Sequence, residues 1–169
     1  MTEEIQKEKG FSRRTIVKGA AWSVPVIAAA VATPLAAAST GDVEVGAFTT
    51  AGTCGVLGVL GPGFTLTASG TAPLPVGTTI AITGGGVANI GVFSVTGGTA
   101  NVAVLSGTSR LITLTSELPA GATIAFRTTL SISVAFTLNE VVTLPDGYIG
   151  TGAKTTGSVS STLVLCSAS

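Results

Sequence analysis

Chemistry in this chain has to come from carboxylates, hydroxyls and two cysteines, because the sequence contains no histidine. Without an imidazole the commonest general base is missing, and a nucleophilic Ser or Cys lacks its usual proton acceptor. Glu117, Glu140 and Asp146 are the carboxylates available for paired acid-base work. Each neighbours a turn, where a charged side chain is ordinarily solvated, so no catalytic residue is assigned and a noncatalytic protein is expected. Asp42 and Glu44 fall on one face of a short extended segment. Oxygen ligands suit Ca²⁺, but two are too few and no D-x-D-x-D-G loop accompanies them. They read as edge charges that discourage strand pairing. The stretch TGGGVANIG, residues 83–91, lacks the Lys-Ser/Thr ending of a phosphate cradle and reads as a hairpin connection. The TLT triplets at 65–67 and 113–115 are too few for a hydroxyl array. No metal and no cofactor is expected.

Cys54 and Cys166 are the two cysteines. An even count in an exported domain predicts a disulfide. A redox-active or metal-binding pair is set aside, because there is no C-x-x-C spacing and no histidine. Joining them closes a loop of about 113 residues, worth roughly 4 to 5 kcal/mol in the chain-entropy account and less if the geometry is strained. The bridge is expected to staple the start of the domain to its last strand.

The elements that carry these residues read as strands. In TIAFRTTLSISVAFTL, residues 123–138, even positions give Ile124, Phe126, Leu130, Ile132, Val134, Phe136 and Leu138, broken only at Thr128. A period of two marks a β-segment with one buried face. The run exceeds the length of an ordinary strand, so a bend or break is expected near Thr128 and Thr129. Shorter runs occupy 64–69, with Phe64 and Leu66 inward, and 79–83, 90–95, 101–106, 110–116 and 158–166; DVEVGAF, residues 42–48, opens the series. Between them a phrase recurs as Leu74-Pro75-Val76-Gly77, Leu118-Pro119-Ala120-Gly121 and Leu144-Pro145-Asp146-Gly147. Each suits a type I turn with Pro at its second position and Gly at its fourth, the leucine packing at the sheet edge. Their unequal spacing excludes a solenoid. The whole predicts an all-β fold, an antiparallel two-sheet sandwich, with a small β-barrel as the alternative.

Composition narrows the partners. The chain is 46% hydrophobic and only 9% charged, which favours folding over disorder and leaves solubility to Thr, Ser and Gly. Beyond residue 38 stand Arg110, Arg127 and Lys154 against Asp42, Glu44, Glu117, Glu140 and Asp146, a formal charge of −2. Three scattered cations cannot displace the counterions of a polyanion, so nucleic acid is excluded.

Residues 12–39 read SRRTIVKGAAWSVPVIAAAVATPLAAAS. A basic front with Arg13, Arg14 and Lys18, an apolar middle, and small residues at Ala36 and Ala38 before Ser39 have the order of a cleavable export signal. Residues 1–38 are therefore read as a signal peptide with a helical middle, and 39–169 as one sandwich domain. The apolar stretch is long enough to span a bilayer, but Pro25 and Pro34 interrupt it and cleavage is the reading preferred. Ser12 to Lys18 resembles the twin-arginine export motif, with Ile-Val where Phe-Leu is commonest. The resemblance implies an export translocase and a signal peptidase as partners, and cargo that crosses the membrane already folded. An ordinary secretory signal is the alternative, with the same destination outside the cell or on a bacterial surface and no membrane span in the mature protein.

LPVGTTIAI and LPAGATIAF, in which L-P-x-G-x-x-I leads into a strand, resemble the immunoglobulin-like domains of bacterial surface and secreted proteins. The chain departs from antibody-type domains: its tryptophan, Trp22, lies in the leader, and the cysteines sit near the domain's ends. That resemblance implies a structural, adhesive or partner-binding module, contacting an extracellular protein or glycan. The alternative is a small-molecule carrier, since the His-free, Gly/Ala/Thr/Val-rich composition is similar to that of the secreted enediyne-binding apoproteins. A solvent-open cavity lined by Phe93, Phe126 or Phe136 would favour the carrier, and a closed core the surface module.

Overall fold

The alternating runs become strands. The computed structural model describes residues 41–55, 61–86, 90–128, 135–162 and 165–169. Arg13, Arg14, Lys18, Ala36, Ala38 and Ser39 lie outside them, as do Trp22 and Leu130, Ile132 and Val134 of the long alternating run. Residues 42–169 form one compact unit. Its strands are β1 (Val43–Glu44), β2 (Thr49–Thr53), β3 (Gly63–Thr67), β4 (Thr79–Gly85), β5 (Phe93–Thr96), β6 (Ala100–Ser106), β7 (Ser109–Leu114), β8 (Thr123–Thr128), β9 (Phe136–Thr143), β10 (Tyr148–Ile149), β11 (Thr156–Ser161) and β12 (Cys166–Ala168).

Two antiparallel sheets face each other. One has the order β12-β11-β9-β4-β7-β6, the other β2-β3-β8-β5; β1 and β10 form a separate parallel pair. Neither large sheet closes on itself, so the fold is a sandwich and the barrel alternative falls. The pairings interlock: β3 pairs β8 in one sheet while β4 pairs β9 in the other. Counting β2, β3, β4, β5, β8, β9 and β11 as A to G reproduces the ABED and CFG sheets of an immunoglobulin-type domain. The β6-β7 hairpin is extra and widens the CFG side.

Period-two alternation explains the core. Phe64, Leu66, Phe93, Ile124 and Phe126 point inward from the four-stranded sheet; Ile80, Ile82, Ile112, Leu114, Phe136, Leu138, Val142 and Val159 point inward from the six-stranded one. The two ends of the run 123–138 serve opposite sheets as β8 and β9, so it is not one strand; the bend expected near Thr128 and Thr129 falls where the described residues end. Thr128 does not break the phase, since it is buried like its even-numbered neighbours.

Several sequence readings need correction. The three Leu-Pro-x-Gly turns begin at the proline: the Pro75, Pro119 and Pro145 carbonyls accept from the Thr78, Ala122 and Tyr148 amides. Glycine thus takes the third position, with φ of +87° at Gly77 and +72° at Gly121, the positive-φ arrangement of a type II turn. Leu74 and Leu118 are buried and bond each other's main chains at 2.9 and 3.0 Å, so the two like phrases meet in space. The segment 83–91 links β4 to β5 in different sheets and is not a hairpin. The expected strand at 90–95 is displaced to Phe93–Thr96, and 158–166 resolves into β11 and β12. β2 was missed because TTAGT has no apolar alternation; position in the sheet, not pattern, makes it a strand.

Candidate functional site

The interior carries more polar side chains than a wholly apolar core would. On the inner face of the six-stranded sheet one cross-strand row reads Gly157, Glu140, Ile82, Arg110, Val104, from β11 to β6. Glu140 is 1% exposed and Arg110 6%. Glu140 was expected to be solvated beside a turn; instead β9 runs on to Thr143, and the inward phase of Phe136 and Leu138 continues through Glu140 and Val142. The signal was present in the alternation beyond residue 138. Arg110 was legible in the same way, two and four residues before Ile112 and Leu114 on one strand face.

Glu140 sits where β2 of one sheet meets β9 and β11 of the other. Thr50 Oγ1 on β2 lies 2.5 Å from Glu140 Oε2 and 3.2 Å from the Thr65 carbonyl oxygen. Glu140 Oε1 is buried with no hydrogen-bond partner among the described residues. Room for the carboxyl comes from Gly157, where a Cβ would stand 3.1 Å from Glu140 Oε2. Burial pushes the Glu140 carboxyl up to about 7, partly offset by the Thr50 hydrogen bond and the positive charge of Lys154. Arg110 belongs to other contacts: its guanidinium donates to the carbonyls of Ser106, Ser109 and Ile90, bracing the β6-β7 turn against the segment before β5.

The remaining carboxylates do not join Glu140. Asp42, Glu117 and Asp146 are exposed, and no three of Cys, Asp and Glu gather among the described residues. Glu44 lies on β1, an edge strand that pairs only β10 among the described residues. It accepts from the Thr151 hydroxyl at 2.6 Å and from the Thr151 and Gly46 amides at 2.8 and 2.7 Å, which tethers the loop after β10 and holds its carboxyl below the usual range.

The two long sides of the sandwich differ. On one, Cys54 and Cys166 form the expected disulfide, joining the residue after β2 to the first residue of β12. The Gly52 amide donates to the Ser169 carbonyl at 2.8 Å and the Thr50 amide to the Lys154 carbonyl at 3.0 Å. The bond fits an oxidising compartment. On the other side β5 pairs only β8 and β6 pairs only β7 among the described residues. Because the six-stranded sheet is the wider one, β6 overhangs. Val92, Val104 and Leu105 are 81%, 69% and 62% exposed. Between the two edges lies a cavity of about 250 Å³ lined by Ile90, Val92, Phe93, Val102, Val104 and Arg110. Phe126 and Phe136 are instead enclosed in the core. β6 carries no charge and no proline, two usual guards of an edge strand, although a bulge lies between Val104 and Ser106.

The sequence matches no protein family and no curated protein. No helix among the described residues is long and apolar enough to cross a membrane.

Proposed function

We propose that this chain is a noncatalytic bacterial protein, exported by way of residues 1–38, that works at the cell exterior by binding a partner along the β5-β6 side of its sandwich. One observation carries the reading: the apolar side chains of Val92, Val104 and Leu105 stand in solvent beside two strand edges whose far sides are unpaired among the described residues. Exposed apolar groups beside open edges mark association surfaces, and an added strand supplies main-chain hydrogen bonds there while side-chain pockets supply selectivity. An extracellular protein segment in extended form fits such an edge.

The test is co-sedimentation of the purified protein with washed cell envelopes. Val104→Lys with Leu105→Lys should abolish sedimentation while leaving stability within about 0.5 kcal/mol, because both side chains are exposed. Unchanged sedimentation of the double variant would remove the edge from the proposal.

A second reading, the small-molecule carrier, draws on the cavity beside Phe93. At about 250 Å³ it falls just below the ordinary range for ligand sites, so its occupant would be a small apolar molecule. Titration with an anilinonaphthalene dye separates the readings. Saturable binding lost in Val102→Trp, which fills the cavity, favours the carrier.

A further inference from the structure

The buried carboxyl of Glu140 plays no part in that surface, and its surroundings point to a different role. The Thr50 hydroxyl has one hydrogen and two oxygens to satisfy, Glu140 Oε2 at 2.5 Å and the Thr65 carbonyl at 3.2 Å. With Glu140 as a carboxylate, one of those contacts has no proton. With a proton on Oε2, both are made: the Glu140 acid donates to Thr50 Oγ1, and Thr50 donates to Thr65. The neutral acid also relieves Oε1, which as half of a carboxylate would be a buried charge with no donor among the described residues.

We propose that Glu140 is a proton-operated clasp between the two sheets: as a neutral acid it holds β2 against β9 and β11, and as a carboxylate it lets that side of the sandwich loosen. The groups that face it leave little else to carry the effect. β2 presents Thr50, β3 presents Phe64, β4 presents Ile82 and β11 presents Gly157. None of them titrates. Lys154, which bridges to Thr49, is the cation that acts on it. Arg110 lies two strands away on the same row with Ile82 between them, its guanidinium turned to backbone carbonyls. The chain has no histidine and both cysteines are bonded, so the side chains that ordinarily titrate near neutrality are missing; besides the α-amino terminus, which does not face Thr50 among the described residues, Glu140 is the source of a response there. Burial holding the proton to about 7 sets the working range across neutrality.

The local character follows from what β2 is tied to. Its far end is fixed by the Cys54–Cys166 bond, whereas its main chain is held on the sheet-to-sheet side by the Thr50-Lys154 and Gly52-Ser169 hydrogen bonds. A charge placed under Thr50 acts on those bonds first.

Hydrogen exchange of the purified, oxidised chain at pH 5 and pH 9, corrected for intrinsic rates, tests this. The opening equilibrium of the Thr50 and Gly52 amides should rise on the order of 10²-fold from pH 5 to pH 9. Glu140→Gln, whose amide can donate to Thr50 at every pH, should show no such rise. An equal slope in wild type and variant overturns the clasp, as does an opening free energy at Thr50 and Gly52 equal to that of global unfolding in urea at the same pH, which would place the effect on the whole fold. Should Glu140→Gln fail to fold, carbon-13 titration of the Glu140 carboxyl in the wild type decides: a midpoint near 7 supports the proposal and one near 4.5 overturns it.

Discussion

At the scale of single residues, the close approach of the sheets rests on two positions without side chains. A Cβ on Gly52 would stand 2.1 Å from the Ser158 carbonyl oxygen, and one on Gly157 would stand 3.1 Å from Glu140 Oε2 and 3.3 Å from the Gly52 nitrogen. The first is a collision with main chain and the second a tight contact with the end of a side chain. Gly52→Ala should therefore cost about 1 to 3 kcal/mol and Gly157→Ala clearly less, read from urea midpoints at pH 6. Equal losses would show that the main-chain contact at Gly52 yields as readily as the side-chain end at Gly157. Acidity acts on the same site with a definite sign. Glu140 holds its proton up to about 7 against an ordinary value of 4.5, so its contribution is complete below 4.5 and is lost as pH rises through 7, about 3 kcal/mol in all. Glu44 runs the other way: its lowered value contributes stability above the ordinary range that is lost on acidification. Residue identities alone gave the inward phase that buries Glu140, but the neighbouring turn at Pro145 outweighed it in the reading. What the pattern could not supply was Thr50, ninety residues distant in sequence, as its partner.

At the scale of elements, local signals were the legible ones. Period-two runs placed β3, β4, β6, β7 and β8 within two residues at either end, and strand length correctly implied that the run 123–138 is not one strand. Strands whose existence depends on neighbours were not legible: β2 has no apolar alternation, and β1 finds its partner in β10, more than a hundred residues later. The repeated Leu-Pro-x-Gly phrase was seen, but its turn was placed one residue early, because proline's preset backbone angle suits the second turn position as well as the place it actually takes. The disulfide was legible by count, and its mechanical effect belongs here. β12 has three exposed residues and among the described residues pairs only β11, so little apolar burial holds it; the bond to Cys54 does. A Cys54→Ala, Cys166→Ala variant should lose about 2 to 5 kcal/mol of stability. It should also lose protection at the Gly52 amide, which the Ser169 carbonyl accepts from. Exchange mass spectrometry with chemical denaturation reads both, and full retention of that protection would mean that the strand holds without its staple.

At the scale of the whole molecule, topology bears on the proposed export. The bridge spans 112 residues and joins the first long strand to the last, while the interlocked β3-β8 and β4-β9 pairs need most of the chain before the core can close. Such non-local pairing folds slowly. Cys166 is exposed and Cys54 half-buried, so their thiols can be oxidised in a domain that is already folded. That order of events suits the route implied by Ser12-Arg13-Arg14-Thr15-Ile16-Val17-Lys18, in which a folded domain crosses first and meets oxidant afterwards. Replacing Arg13 and Arg14 with lysine keeps the charge and removes the guanidinium pair. The variant should accumulate inside the cell with residues 12–38 attached and both thiols reduced. The wild type should leave as a chain starting at Ser39, lighter by two hydrogens than its reduced mass. Intact mass of medium, envelope and cytoplasm measures all of this at once. Undiminished export of the variant would assign the leader to the general secretory path, and residues 12–38 persisting in all exported material would make it an anchor instead of a signal.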